Sequence, residues 1–93
     1  MSNLIARAQE NIRDAYATLA PKGTHTGVRL RVLLLHAGVS RNVFNQAIEV
    51  MAHQPGIHVR WEADQKTLTA QDREYGVELG GVVRHNLYIE PGH

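Results

Sequence analysis

The spacing of apolar residues changes along the chain, and this change limits the fold more than any other feature of the sequence. Apolar side chains recur every three or four positions over residues 4–19 and again over 44–51, whereas over 57–61 they alternate with polar ones. The first period is that of an amphipathic helix and the second that of a strand buried on one face. The sequence therefore predicts an α+β fold.

The first helix is predicted to begin after Ser2, which can accept a hydrogen bond from a first-turn amide. It is predicted to end at Ala20, because Pro21 and Gly23 interrupt the apolar pattern. Residues 21–27 carry no apolar stripe, which predicts a loop.

Two further helices are predicted to meet at a tight corner. After a brief strand at 28–30, the continuous apolar residues predict a short buried helix over 31–36, ended by Gly38. Ser40 is the predicted N-cap of the next helix. That helix must end near His53, because a proline and a glycine follow it.

The C-terminal part predicts two antiparallel strands, over 57–61 and 82–89. About twenty residues separate them, too many for a bare turn. Within this connection Thr69 and Asp72 have the spacing of a capping box, which predicts a helical turn through about residue 75, and the glycine pair at 80–81 predicts a turn.

The length of 93 residues predicts one domain over 1–93, with a frayed tail at 91–93. A chain this short buries only about 60–65% of its unfolded surface, so its apolar residues are expected to serve one core. Trp61 alternates in phase with Ile57 and Val59, and we predict that it belongs to this core.

The composition limits the classes of protein further. The chain has no cysteine, which excludes disulfides, a thiol nucleophile and a Cys-based zinc site and fits a reducing compartment. The longest apolar run, at 32–35, is far shorter than the roughly 20 residues that span a bilayer. We therefore expect a soluble cytoplasmic protein that does not bind membranes.

Charge is divided unevenly along the chain, although the net charge is only +1. Residues 1–46 contain six basic and two acidic residues, whereas residues 47–93 contain four basic and seven acidic ones. A positive half could meet phosphate while the negative half avoids it or meets another protein. An ordinary charged surface is the alternative interpretation.

The order of predicted elements resembles the winged helix-turn-helix domain over about residues 3–90. The resemblance rests on the periodicity, on Gly38, on a third helix that starts with Val39, Ser40 and Phe44, and on the two closing strands. It implies three helices and a two- to three-stranded antiparallel sheet with an enlarged wing. It also implies that the helix at 41–53 enters the major groove of double-stranded DNA.

The polar face of that helix carries the candidate base-reading residues, which are Arg41, Asn42, Asn45 and Gln46. Arginine can hold guanine with two hydrogen bonds, and asparagine or glutamine can hold adenine in the same way. Solvated surface side chains are the alternative interpretation.

Candidate phosphate contacts lie in the loop and strand before the corner, at Lys22, Thr24, Arg29 and Arg31. A solvated loop and edge strand would explain these residues equally well.

The wing offers Arg60 and Lys66 as further DNA contacts. Its remaining charged side chains are acidic: Glu62, Asp64, Asp72, Glu74 and Glu78. This departs from the family pattern and makes the wing tip a possible contact for a protein partner.

Neither a metal site nor catalytic chemistry is predicted. The six histidines form no helical pair four residues apart, and both serines are explained as helix caps. We therefore predict a protein that is not an enzyme and needs no cofactor or metal.

The resemblance implies a small double-stranded DNA-binding protein and transcriptional regulator, and the long apolar stripe of the first helix predicts a homodimer through that helix. The alternative is a winged-helix module that binds a protein and has lost DNA binding, since a net charge of +1 fits it equally well.

Overall fold

The computed structural model describes residues 3–20 and 27–93, in which four α-helices and five short β-strands form. The elements are α1 (Asn3–Leu19), β1 (Val28–Arg29), α2 (Leu30–Ala37), α3 (Arg41–Met51), β2 (Ile57–Arg60), a 3₁₀-helix (Gln65–Thr67), α4 (Ala70–Glu74), β3 (Val77–Leu79), β4 (Val82–Arg84) and β5 (Asn86–Ile89). An antiparallel sheet has the order β1-β5-β2, and β3 pairs with β4 separately. The α+β prediction is confirmed. Ser2 and positions 21–26 lie outside the described residues.

The corner between α2 and α3 forms as the sequence predicts. Gly38 has φ +67° and ends α2 in the left-handed conformation that glycine adopts without strain. The Ser40 hydroxyl accepts a hydrogen bond from the amide of Val43 at 3.3 Å and so caps α3. Two local signals two positions apart, Gly38 and Ser40, thus determine the angle at which α3 leaves α2.

The core lies between the three long helices and the inner face of the three-stranded sheet. Its buried residues are Ala8, Ile12, Ala15, Leu30, Leu33, Ala37, Phe44, Ala47, Ile48, Met51, Ile57, Val59, Val77 and Leu87. Leu35 does not join them and is 70% exposed. The prediction that the whole 31–36 helix is buried is therefore wrong, because α2 is covered on only one side.

The antiparallel pairing of the two closing strands is confirmed by the register, in which Val59 lies opposite Leu87. The prediction of one strand over 82–89 is wrong, because the segment divides at His85. Its first part, β4, pairs with β3 across the turn at Gly80 and Gly81, and its second part pairs with β1 and β2. Both turn glycines have positive φ.

Trp61 lies outside the core, at 51% exposure, so its predicted burial is wrong. The last pair of the β2–β5 ladder is Arg60 with Asn86, and β2 ends there. Alternation places a side chain inward only while its strand continues.

We call residues 61–85, which connect β2 to β5, the insert. Its capping box is confirmed: the Thr69 hydroxyl accepts from the amide of Asp72, and the Asp72 carboxylate accepts from the amide of Thr69, each at 3.0 Å. From there the insert runs back over the helices, with α4 against α2 and β3 against α3. Among the described residues, no helix is long and apolar enough to cross a membrane.

The predicted frayed tail at 91–93 is exposed, yet it has contacts with the body of the protein. Arg13 donates a hydrogen bond to the carbonyl of His93 at 2.5 Å, and the amide of His93 donates to the carbonyl of Glu90 at 3.1 Å.

Candidate nucleic-acid interface

The exposed face of α3 carries three amide side chains. The opposite face of this helix packs into the core, which leaves Asn42 and Gln46 exposed and Asn45 half-buried. None of the three amides forms a hydrogen bond with another described residue. Their donors and acceptors are therefore available to a ligand, most fully at the exposed Asn42 and Gln46.

Arg41, at the first position of α3, is held by the end of α4. Its guanidinium lies 4.7 Å from the centre of the Tyr75 ring, and it donates a hydrogen bond to the carbonyl of Glu74. A cation–π contact at an exposed position contributes about 0.5–1 kcal/mol. Arg41 is thus oriented by the insert, a contact that nothing in the sequence near Tyr75 indicates.

Arg29, a predicted phosphate contact, is occupied within the protein. Its guanidinium donates to Glu62 at 2.8 Å, to Asn86 at 2.6 Å and to Thr67 at 2.8 Å. Its side chain is only 22% exposed. The geometry places Arg29 as the link between β1, β5 and the insert.

Arg31, the second predicted phosphate contact, pairs with Asp72 at 2.9 Å. Asp72 is 5% exposed, and Arg29 Nε lies 3.7 Å from its other oxygen. We call these two arginines with Asp72 and Glu62 the carboxylate latch, because the acids belong to the insert and the bases to β1 and α2. Sequence reasoning identified the cap at Asp72 but not its arginine partners, which are about forty residues away.

Both acids of the carboxylate latch are held ionised. The hydrogen bond from Arg29 lowers the pKa of Glu62 below its ordinary value. Burial by itself raises the pKa of Asp72, but hydrogen bonds from the Thr69 amide and from Arg31 outweigh burial, so this pKa is also lowered. Lowered carboxyl pKa values mean that the latch stabilises the fold most above pH 4.5 and weakens in acid.

His85 lies between β4 and β5 at 6% exposure. Burial lowers its pKa, and Arg29 and Arg73 lower it further, whereas Asp72 and Glu62 oppose the shift. Its Nδ1 accepts a weak hydrogen bond from the amide of Glu62 at 3.4 Å, which requires an unprotonated nitrogen. His85 is therefore neutral in the folded state near pH 7.

We expect the free energy of unfolding to decrease as the pH falls below 6.5, the ordinary pKa of histidine. In that range His85 is protonated in the unfolded chain but remains neutral in the folded protein, so the unfolded state gains stability relative to the folded state. Denaturant titrations between about pH 7 and pH 5 measure the slope. His85→Gln should reduce it, whereas His53→Gln, at an exposed position, should retain it; equal slopes for the two variants would contradict the assignment.

The remaining predicted contacts are dispersed. Arg60 lies over the ring of Tyr88 at 4.9 Å, and Lys66 is exposed on the 3₁₀-helix. Lys22 and Thr24 lie outside the described residues. The structure does not bring these residues together with the face of α3 in one contiguous cluster of hydrogen-bonded groups.

No family model matches the chain, and no curated protein or solved structure matches it either. In the part of the chain that the structure describes, no three histidine, aspartate or glutamate side chains are grouped as they would be around a metal ion. The candidate interface is therefore assigned from its geometry.

Most of the arginines in the described residues already donate hydrogen bonds within the protein, and two of them, Arg29 and Arg31, are paired with carboxylates. Six arginines donate hydrogen bonds within the chain: Arg13, Arg29, Arg31, Arg41, Arg73 and Arg84. Arg7, Arg60 and Lys66 form no side-chain hydrogen bond with a described residue. Fewer arginine N–H groups are therefore available to donate hydrogen bonds to phosphates.

The acidic surface of the insert is smaller than the sequence suggests, because Glu62 and Asp72 are part of the carboxylate latch. Asp64, Glu74 and Glu78 are exposed. They are the acidic side chains of the insert that a protein partner could contact.

Proposed function

We propose that this protein is a winged-helix domain that binds double-stranded DNA by placing α3 in the major groove. The observation that carries the proposal is the exposed amide face of α3. Asn42 and Gln46 project from a helix whose other side is locked into the core, and they have no hydrogen-bond partner among the described residues. A rigid helix with unoccupied amides is suited to reading base edges.

The order of elements supports the winged-helix part of the proposal. Three helices with a tight turn between the second and third are followed by two strands that pair antiparallel, and a short strand before α2 joins the same sheet. The insert between the closing strands takes the place of an enlarged wing. Its hairpin of β3 and β4 lies beside α3, where it could border a bound duplex.

Among the candidate readers, Gln46 and Asn42 are the strongest. A primary amide matches the N6 and N7 atoms of adenine with two hydrogen bonds. Asn45 is half-buried, and Arg41 is directed by Tyr75 and Glu74 toward the insert. We therefore propose a preference for adenine-containing sites, read chiefly by Gln46 and Asn42.

Few phosphate contacts should accompany this reading, and the salt dependence measures them. If Arg7, Arg60 and Lys66 each met one phosphate, the logarithm of the binding constant would fall with the logarithm of salt concentration with a slope of about −3. Fluorescence anisotropy of a labelled duplex between about 50 and 200 mM salt gives this slope. A slope near −8 would contradict this expectation, because it would require phosphate contacts from the arginines that already donate hydrogen bonds within the protein.

Gln46→Ala should weaken binding to a preferred duplex by about 1–3 kcal/mol and flatten the preference at one base position. The loss follows from removing two hydrogen bonds to one base edge. Gln71→Ala, an exposed glutamine on α4, is the matched control and should bind as the unchanged protein does. Selection from a randomised duplex pool supplies the preferred site, and unchanged binding by Gln46→Ala would remove α3 as the reading helix.

A protein-binding module is the second candidate, favoured by a groove between α2 and α4. The cavity has a volume of about 210 Å³ and is lined by Arg31, Leu34, Leu35, Gln71 and Tyr75. Leu35 is 70% exposed there, and exposed large apolar side chains grouped in a groove are typical of partner sites. Duplex binding that is absent even at low salt would favour this candidate.

A homodimer through α1 receives little support from the packing of that helix. Ala8, Ile12 and Ala15 are buried in the core of the same chain, and Leu4 is the large apolar side chain of α1 that is strongly exposed. We therefore propose that a single chain binds the duplex.

A further inference from the structure

The outer face of the three-stranded sheet carries aromatic and charged side chains, of which the α3 proposal uses only Arg60. Val59 and Leu87 are paired and buried, so their neighbours along the strands point away from the core. Those neighbours include Arg60 and Tyr88, joined beyond the end of β2 by exposed Trp61. Trp61 is the single tryptophan of the chain.

A cavity of about 480 Å³ opens beside this face. Its lining residues are Gly27, Arg29, Arg60, Trp61, Glu62, Ala63 and Asn86. The volume falls within the range of small-molecule sites, about 300–1,000 Å³. Trp61 contributes an aromatic side chain to this lining, and the polar side chains come from β1, β2, β5 and the start of the insert.

The polar wall is oriented before any ligand arrives. Asn86 Oδ1 accepts from Arg29 at 2.6 Å, which leaves its Nδ2 as a donor. Glu62 Oε1 accepts from the same guanidinium at 2.8 Å, and its Oε2 accepts a long hydrogen bond from the amide of Asp64 at 3.4 Å, which leaves further lone pairs on the carboxylate for a ligand. A fixed donor beside a fixed acceptor matches the edge of a nucleobase, which presents both.

Arg60 supplies a positive charge at the rim of the cavity. Its guanidinium lies over Tyr88 at 4.9 Å and donates to no described residue. Stacking on an aromatic ring holds the guanidinium plane while its N–H groups stay available for bidentate contact with phosphate.

We propose that this cavity binds a nucleobase together with its phosphate. The base stacks on Trp61, its edge meets Asn86 and Glu62, and the phosphate meets Arg60. The ligand is a free nucleotide or an unpaired nucleotide of a single strand, which share this chemistry. The inference is independent of duplex reading by α3, with which it shares only Arg60.

The fluorescence of Trp61 tests the proposal directly, because no other tryptophan contributes to the signal. The whole protein is titrated with adenosine monophosphate and with a short single strand of deoxyadenylate, with ribose 5-phosphate as the control that lacks a base. Saturable quenching by either nucleotide supports the site. A strand that binds about tenfold tighter than the mononucleotide assigns the ligand to unpaired nucleic acid, and equal or weaker binding assigns it to a free nucleotide. If quenching saturates with neither the mononucleotide nor the strand up to about 1 mM, the proposed site is overturned. Equal quenching by ribose 5-phosphate would overturn it as well.

Two variants assign the roles of the side chains. Arg60→Gln should weaken the binding of adenosine monophosphate about tenfold and leave the binding of adenosine unchanged, because only the phosphate contact is lost. Arg73→Gln, which removes an exposed guanidinium outside the cavity, is the matched control and should leave the binding of both ligands unchanged. An equal loss in the two variants would overturn the assignment of the phosphate.

Trp61→Ala should weaken the binding of adenosine monophosphate and of adenosine about tenfold, since base stacking on an aromatic ring is lost. Equilibrium dialysis measures this binding. Thermal melting should be unchanged because the side chain is exposed, so failure to fold does not confuse the result. Gln46→Ala should retain nucleotide binding, which separates failure of this site from failure of the α3 proposal. Undiminished binding by Trp61→Ala would overturn the stacking role.

Discussion

Phe44→Ala should lower the free energy of unfolding by about 3–5 kcal/mol. Phe44 is 1% exposed and lies in the first turns of α3, where it packs into the core shared with α1, α2 and the sheet. Truncation removes a full aromatic side chain and leaves a cavity that its neighbours fill only in part. Since domains of this size are stable by only about 5–10 kcal/mol, most of the stability would be lost. Urea titration followed by circular dichroism measures the change.

Val50→Ala is the matched control on the same helix. Val50 is 45% exposed, so its truncation removes little buried surface and should cost less than about 1 kcal/mol. A loss below about 1 kcal/mol for Phe44→Ala would mean that the packing of α3 differs from the one described.

Asp72→Ala should lower the free energy of unfolding by about 2–3 kcal/mol. The substitution removes one carboxylate that serves Arg31, Arg29 and the amide of Thr69. Breaking a fully buried ion pair costs about 3–5 kcal/mol, and solvent access to the two arginines, each about a quarter exposed, reduces that cost. Chemical denaturation measures the loss.

The local consequence of Asp72→Ala is release of α4 from α2. Hydrogen exchange should therefore accelerate for the amides of α4 more than for those of α3. Glu74→Ala, which changes an exposed acid on the same short helix, should leave both stability and exchange unaltered. Equal effects of the two substitutions would show that net charge, and not the carboxylate latch, holds the insert.

Features that depend on neighbouring residues were predictable from the sequence. The corner at Gly38 and Ser40 and the capping box at Thr69 each involve residues within a few positions of one another, so the bonding groups are close in any conformation. The pairing of the closing strands followed from apolar alternation, which has to place Val59 and Leu87 on one face.

Features that depend on distant residues were not predictable in the same way. Alternation continues to Trp61 in the sequence, but a strand ends where its partner does, and β5 begins at Asn86. Arg29 and Arg31 were predicted to contact phosphate and Arg41 to read a base edge, because the residues near them in the sequence give no sign of Asp72 or Tyr75. The exposed amides of α3, in contrast, follow from helical periodicity alone, apart from the half-burial of Asn45.

The sequence by itself determined the class of fold, the corner that presents α3 and the polar character of its outer face, because each arises from the period of the helix or strand and from caps within one turn. Only the tertiary structure decided which charged groups remain available. The insert returns across α2 and α3 and brings Glu62, Asp72 and Tyr75 to arginines more than thirty residues away, and it leaves Trp61 at the mouth of a cavity. Ion pairing and exposure depend on distances between distant segments, and those distances exist only once the core has packed.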